Sequence, residues 1–404
     1  MKKIILMFLV VILCLTVLCP NALASQATDE STPTDITNKC NFIPSSNKDS
    51  FSKATDEKLS TSWIIGDDEE KFIIIDIPKT VTDRPLGIYL QWTSNLTPWE
   101  FFAITDEAIV SIATGGDEFY GEWISIPEEY SDCRFFMFNF DKGEPFSLAE
   151  IRIFSHGIPY YIPQWEKYNG QSVYALVIVC HPDDESLYFA AFMAYIREAG
   201  MDTVVVFMNG ENSRRRLEAQ ESVWTLGSHL YPVIRMKKPG SSGSSSGDKI
   251  NGWSYEENVE FIVEQIRKYR PQIVITHDQR GEYGHDSHKK TFKAVCKAVT
   301  VSGDLDQFPE SAQEYGVWTA DELYVHLYGQ NQIFFDIDKE LSAFDGSTAF
   351  DLAKAAFDRH KSQHNGNHTV QKDSIDGWPM AEFGLFWINP NLLDVNSILE
   401  NSSQ

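Results

Sequence analysis

Val173-Tyr174-Ala175-Leu176-Val177-Ile178-Val179-Cys180-His181-Pro182-Asp183-Asp184-Glu185 is the stretch whose reading decides the fold. Its continuous apolar run, Val173 to Val179, is the mark of a strand buried on both faces. A helix pattern follows from Ser186 to Ala199 and stops at Gly200. The same alternation then repeats. Thr203 to Met208 reads as a second buried strand, and Arg214 to Leu226 as a helix closed by Gly227. Tyr231 to Met236 reads as a short strand, Trp253 to Lys268 as a helix, and Gln272 to Thr276 as a fourth strand. Strand and helix in turn predict an α/β domain over 165–395, with a Rossmann-like, mostly parallel sheet. The Gly/Ser run Gly240 to Gly247 reads as a mobile linker loop in this domain, with a flexible lip beside the active site as the alternative.

Upstream the texture differs. Phe72 to Ile77, Gly87 to Trp92 and Glu150 to Phe154 are strand candidates separated by turn residues, with little helical period. They predict an all-β sandwich over 38–157. Residues 25–37, rich in Ser, Thr, Asp and Pro, read as a flexible leader. Residues 1–24 read as a signal peptide: Lys2 and Lys3, an apolar run from Ile4 to Cys19, then Ala22-Leu23-Ala24 as the cleavage site. The expectation is a secreted protein, with an uncleaved N-terminal anchor as the alternative. In an oxidising compartment Cys40 and Cys133 could pair, while Cys180 and Cys296 look like buried thiols.

The 404 residues are 43% hydrophobic and 23% charged, which is a globular composition. The formal net charge of -24 disfavours phosphate backbones and anionic lipid surfaces. Nucleic acid and membrane surfaces are therefore excluded as expected partners.

In an open parallel sheet, ligands bind at the carboxyl ends of the strands. Two clusters of metal-type residues lie at such ends. One is His181-Pro182-Asp183-Asp184-Glu185; the other runs from His277-Asp278 to His288 and contains Gly281-Glu282-Tyr283-Gly284-His285-Asp286-Ser287-His288. One imidazole and one carboxylate from the first loop, with one imidazole from the second, make the three protein ligands of a catalytic zinc site. A remaining carboxylate can serve as general base. Capping of the following helix accounts for one aspartate, not for the set. His277 is either a supporting group or a satisfied strand-end histidine. His and carboxylate donors suit ferrous iron as well as zinc.

The strand followed by His181-Pro182-Asp183-Asp184-Glu185 resembles the signature of PIG-L/LmbE-type N-acetylglucosaminyl deacetylases. Asn209-Gly210-Glu211, Arg215 three residues before Glu218, and Tyr283-Gly284-His285 with His288 three residues on agree with it. The likeness spans about 170–390, with weaker signals at His360-Lys361-Ser362-Gln363 and Glu382-Phe383-Gly384-Leu385-Phe386. It implies a metal held by His181, Asp184 and His288. It makes Asp183 the general base and His285 the electrostatic partner and proton donor at the leaving amine. Tyr283 would stabilise the oxyanion, and Arg215 would contact the sugar. Asp286 stands where the family usually has proline, so no family role carries over to it. The implied partner is an N-acetylated amino-sugar glycan or glycoconjugate.

Leu59-Ser60-Thr61-Ser62-Trp63, Ile75-Asp76-Ile77 and Glu150 to Phe154 are similar to discoidin-like, galactose-binding-type domains. That resemblance implies glycan binding through loop aromatics, with Trp92, Trp99 and Tyr120 as candidates and Trp63 as core. Two further readings compete: a metal-dependent hydrolase of another amide, and a non-catalytic glycan-binding protein. A nucleotide-binding α/β protein fails for want of a glycine-rich phosphate loop.

Overall fold

Alternate residues of Phe72–Asp76 and Trp99–Ile104 are buried, as expected of strands with one face on a core. The computed structural model describes residues 32–66, 70–364, 369–372 and 379–392. The expected signal peptide and residues 25–31 of the leader lie outside the described residues.

The β-rich N-terminal part holds two antiparallel sheets. In one, Thr34–Asp35, Phe146–Ser155, Gly87–Trp92 and Gly121–Ser125 follow in order, and Trp63–Ile65 also pairs with Phe146–Ser155. In the other the order is Asn41–Pro44, Phe72–Asp76, Phe135–Phe140, Trp99–Ile104 and Ile109–Gly115. Side chains of both sheets meet in one core, with Trp63, Trp92, Phe101 and Phe138 fully buried. This corrects two expectations for sugar stacking. Trp92 lies edge-on to Phe140 and Phe146, and Trp99 lies edge-on to Phe138 with its Nε1 donating to Glu122 at 2.9 Å. An indole packed on every side has no face left for a ligand. Cys40 and Cys133 are free thiols, and the Cys40 Sγ donates to the Ile36 carbonyl at 3.4 Å.

Glu150, on Phe146–Ser155, is 2% exposed. One carboxylate oxygen accepts the Lys58 amide at 2.7 Å; the other has no partner among the described residues. Burial lifts this carboxyl to about 8. The folded state therefore holds the proton more tightly than the unfolded chain, where a glutamate titrates near about 4.3. The resulting stabilisation is complete below that value and is lost as pH climbs through 8. Glu150→Gln keeps the shape without the charge. Its melting temperature is expected to exceed the parent's at pH 9 and to match it at pH 4. Thermal melts giving the same difference at both pH values would contradict this.

The α/β part is built on a seven-stranded sheet. Its order is Val233–Ile234, Thr203–Phe207, Ala175–Val179, Ile273–Thr276, Glu322–His326, Glu382–Ile388 and Gln332–Phe334. The first five strands pair in parallel, and the last two run antiparallel to their neighbours, so the sheet is mixed. Every residue of Ala175–Val179 and Thr203–Phe207 is buried because helices cover both faces. The expected helix after His181 is split into Asp184–Tyr188 and Ala190–Glu198, with Phe189 at the joint. The Gly/Ser run is tied down: Ser241 Oγ donates to the Lys238 carbonyl at 2.8 Å, and Lys290 Nζ donates to the Ser245 carbonyl.

Ser213–Thr225 is the helix between the two parts. Arg216 lies 3.3 Å over the Tyr120 ring and reaches the Thr93 carbonyl at 3.3 Å. Gln91 donates to Glu221 at 3.1 Å in a buried contact. Tyr120, the third aromatic candidate, is thus occupied by a guanidinium of this helix.

Candidate metal centre and active site

The ends of Ala175–Val179 and Ile273–Thr276 lie side by side, because these strands pair directly. The loops that follow therefore meet above one sheet edge. His181 Nδ1 lies 3.3 Å from His288 Nε2 and 3.5 Å from the nearer oxygen of Asp184; the other Asp184 oxygen is 3.3 Å from His288 Nε2. Tetrahedral ligands bound at about 2.0–2.1 Å stand about 3.3–3.4 Å apart. Pair by pair, the three residues stand at such separations, with His181 and His288 facing different oxygens of Asp184. Single donor atoms also converge from His181, His285 and His288, and from Asp184, His277 and His288. Ferrous iron takes the same donor types as zinc.

Supporting contacts fix each donor. The His181 amide donates to Asp184 Oδ2 at 2.7 Å. His288 Nδ1 donates to Glu282 Oε2 at 2.6 Å, which leaves Nε2 with its lone pair toward Asp184 and His181. Burial works against ionisation of Asp184, yet His288 and His277 hold its carboxyl well below the usual range. His277 is different. The Cys180 amide donates to its Nε2 at 2.9 Å, so that lone pair is already used, and its Nδ1 faces Glu282 at 3.2 Å. Both ring nitrogens of His277 are thus engaged within the protein, and its Nε2 also lies 3.3 Å from Asp184.

Glu282 gathers three histidines: its Oε1 also accepts His326 Nδ1 at 3.0 Å and the Asp278 amide at 3.0 Å. Sequence reasoning quoted Glu282 and gave it no role, and it passed over His326 altogether. Glu185 was missed in the same way. Its carboxylate accepts the Asp183 amide at 2.9 Å, the Ser222 hydroxyl at 2.5 Å and His360 Nε2 at 2.5 Å. An acid closing the first motif and a lone histidine near 360 were the only signals.

Asp183 sits at φ 127°, a conformation that L residues rarely adopt. Its amide is held by Glu185, and its Oδ1 lies 2.9 Å from Arg215 Nη2. Such strain persists only where surrounding contacts over-determine it. Burial raises the Asp183 carboxyl to about 7, against the pull of Arg215. Arg215 is 6% exposed; it also binds the Pro182 carbonyl, and its Nη1 lies 2.8 Å from Glu211. In this structure its guanidinium is turned to the loop carrying Asp183. Asn212 caps the helix by accepting the Arg215 amide at 3.1 Å.

His285 is the residue before helix Asp286–Val301, with its ring 4.8 Å from that of His181 and 4.5 Å from that of His288. Burial, with His288 and His181 beside it, lowers its pKa to about 4, so it is neutral at neutral pH. Its Nδ1 is buried with no hydrogen-bond partner among the described residues. Tyr283 is 42% exposed, its ring 5.5 Å from His285. Asp286 is turned outward to Lys290 at 2.5 Å.

Residues 176–299 match the model of the family described as "PIG-L: GlcNAc-PI de-N-acetylase". The α/β part thus holds a segment that matches the PIG-L family, whose homologues are deacetylases. Among curated relatives, a mycothiol S-conjugate amidase of Streptomyces coelicolor is 28% identical over 171 residues, covering 35% of this chain and 56% of the relative. A 1D-myo-inositol 2-acetamido-2-deoxy-alpha-D-glucopyranoside deacetylase of Geodermatophilus obscurus is 26% identical over 177 residues, covering 37% and 59%. The chain thus spans little more than half the length of these relatives. A solved N,N'-diacetylchitobiose deacetylase from Pyrococcus horikoshii is 17% identical, covers 48% of this chain and 71% of its own, and gives a TM-score of 0.36.

Proposed function

We propose that this protein is a secreted, zinc-dependent deacetylase that removes the acetyl group from an N-acetylglucosamine-type sugar in a glycan or glycoconjugate. The observation that carries this reading is the triangle of His181, Asp184 and His288, with Asp183 gripped beside it. A divalent cation held there supplies Lewis acidity, polarising a carbonyl and making a water acidic near neutral pH. Asp183 is the base. With its carboxyl near 7, it can take a proton from water and later release it. Arg215 fixes one oxygen and leaves the other for that proton. His285, neutral rather than the cationic proton donor expected from the sequence, offers its one ring N–H as a hydrogen bond to the oxyanion, and the proton for the leaving nitrogen comes from Asp183. Tyr283 at the rim offers a hydroxyl to the same oxyanion. Secretion rests on the signal-like residues 1–24, and sugar recognition on the amino-sugar names of the relatives. The β-rich part is proposed as a discoidin-like domain over 38–157.

A second reading, hydrolysis of another amide, is favoured by the similarity to a mycothiol S-conjugate amidase. Acetate release from N-acetylglucosamine oligomers separates the two. The zinc-loaded protein is expected to release acetate, to stop on treatment with a chelator, and to recover on zinc addition. Metal-loaded protein that releases none, yet cleaves a different amide, would favour the second reading.

A further inference from the structure

A cavity of about 360 Å³ opens between the N-terminal sheets and the helix Ser213–Thr225, apart from the metal centre. It lies within the about 300–1,000 Å³ of small-molecule sites. Its walls hold five basic side chains against four acidic ones, Glu57, Glu150, Glu218 and Glu221, in a chain of net charge -24. Lys58, Arg152, Arg214, Arg359 and Lys361 all line it. Two of them are neutralised: Arg214 lies 3.0 Å from Glu218, and Arg152 lies 3.0 Å from Asp35. Among the described residues, Lys58, Arg359 and Lys361 enter no ion pair. Arg359 lies 4.3 Å over the Tyr161 ring, and its Nε is buried without a hydrogen-bond partner among the described residues. The carboxyls on the floor do not cancel this surplus. Burial raises Glu150 to about 8, which keeps its proton on near neutrality, and burial also raises Glu221.

We propose that this cleft is a second ligand site, which takes a sugar-sized molecule carrying a phosphate or carboxylate group. Lys58, Arg359 and Lys361 receive the anion, while Gln91 and the floor carboxyls face the hydroxyls. Charge-assisted bonds to guanidinium and ammonium groups give the selectivity for an anion over a neutral sugar. The site rests on its own residues and not on the deacetylase reading. It shares the helix Ser213–Thr225 with the metal centre, since Arg215 on that helix holds Asp183.

The test is calorimetric titration of the full-length, metal-loaded protein with glucose 6-phosphate, glucuronate and glucose at matched ionic strength. Saturable binding of glucose 6-phosphate or glucuronate, but not of glucose, is expected, and the tighter of the two names the anion. The double variant Arg359→Gln/Lys361→Gln is expected to lose about ten-fold or more in affinity, as the loss of a charge-assisted bond implies. Lys58→Gln, on the exposed rim, gives the same direction should the double variant fold poorly. Protein stripped of zinc with a chelator is expected to bind as the parent does. Heat equal to that of matched salt overturns the proposal, as does full affinity in the folded cleft variants. So does binding that removal of zinc abolishes, which would assign the ligand to the metal centre.

Discussion

Asp183→Asn is expected to lower kcat for acetate release by about 10²–10⁴-fold, the usual share of a positioned general base. Asparagine matches aspartate in shape. Its side-chain carbonyl can still accept from Arg215, and the backbone N–H of residue 183 still donates to Glu185. It is also among the non-glycine residues most often found at positive φ, as this position demands. Fold and metal content should therefore survive, and only the proton acceptor is lost. Kinetics, metal analysis and a thermal melt on one preparation make the comparison. Unchanged kcat in a metal-loaded variant would remove Asp183 from the base role and shift attention to His285.

What was legible in the sequence is local. The apolar runs of Ala175–Val179 and Thr203–Phe207 declare buried strands, because burial on both faces leaves no alternation to obscure them. Metal-type residues directly after two such runs mark the site, because adjacent parallel strands end at the same edge. Contacts made across the chain were not legible. Glu185 is fixed by Ser222 and His360, 37 and 175 residues away, and neither separation leaves a local pattern. Glu282 gains its meaning only where His277, His288 and His326 converge on it. Trp92 and Trp99 misled for the same reason. An aromatic residue reads alike whether it caps a binding loop or fills a core, and only packing decides. The antiparallel edge of the sheet also went unseen, since Gln332–Phe334 is three residues long and lacks a buried run.

The convergence on Glu282 gives the second large effect. Glu282→Gln is expected to weaken zinc affinity about 10–100-fold, the typical result of changing a group that orients a ligating histidine. The cause is a count of donors. His288 Nδ1, His277 Nδ1, His326 Nδ1 and the Asp278 amide all present hydrogens to two oxygens. An amide keeps one oxygen and turns an NH₂ toward a donor, so at least one ring must rotate or change tautomer. If that ring is His288, the Nε2 lone pair no longer points at Asp184. Losing the charge also leaves buried histidines without their anion, a change that costs about 3–5 kcal/mol when a buried pair is broken. Competition with a metal chelator reads the affinity, and a thermal melt of the metal-free protein reads the stability. Excess zinc should restore much of the activity of Glu282→Gln and none of that of Asp183→Asn. The first variant fails to hold the cation, whereas the second holds it and lacks the base. If Glu282→Gln keeps the parent's zinc affinity, the orientation of His288 comes from elsewhere, and the shared carboxylate is a packing device alone.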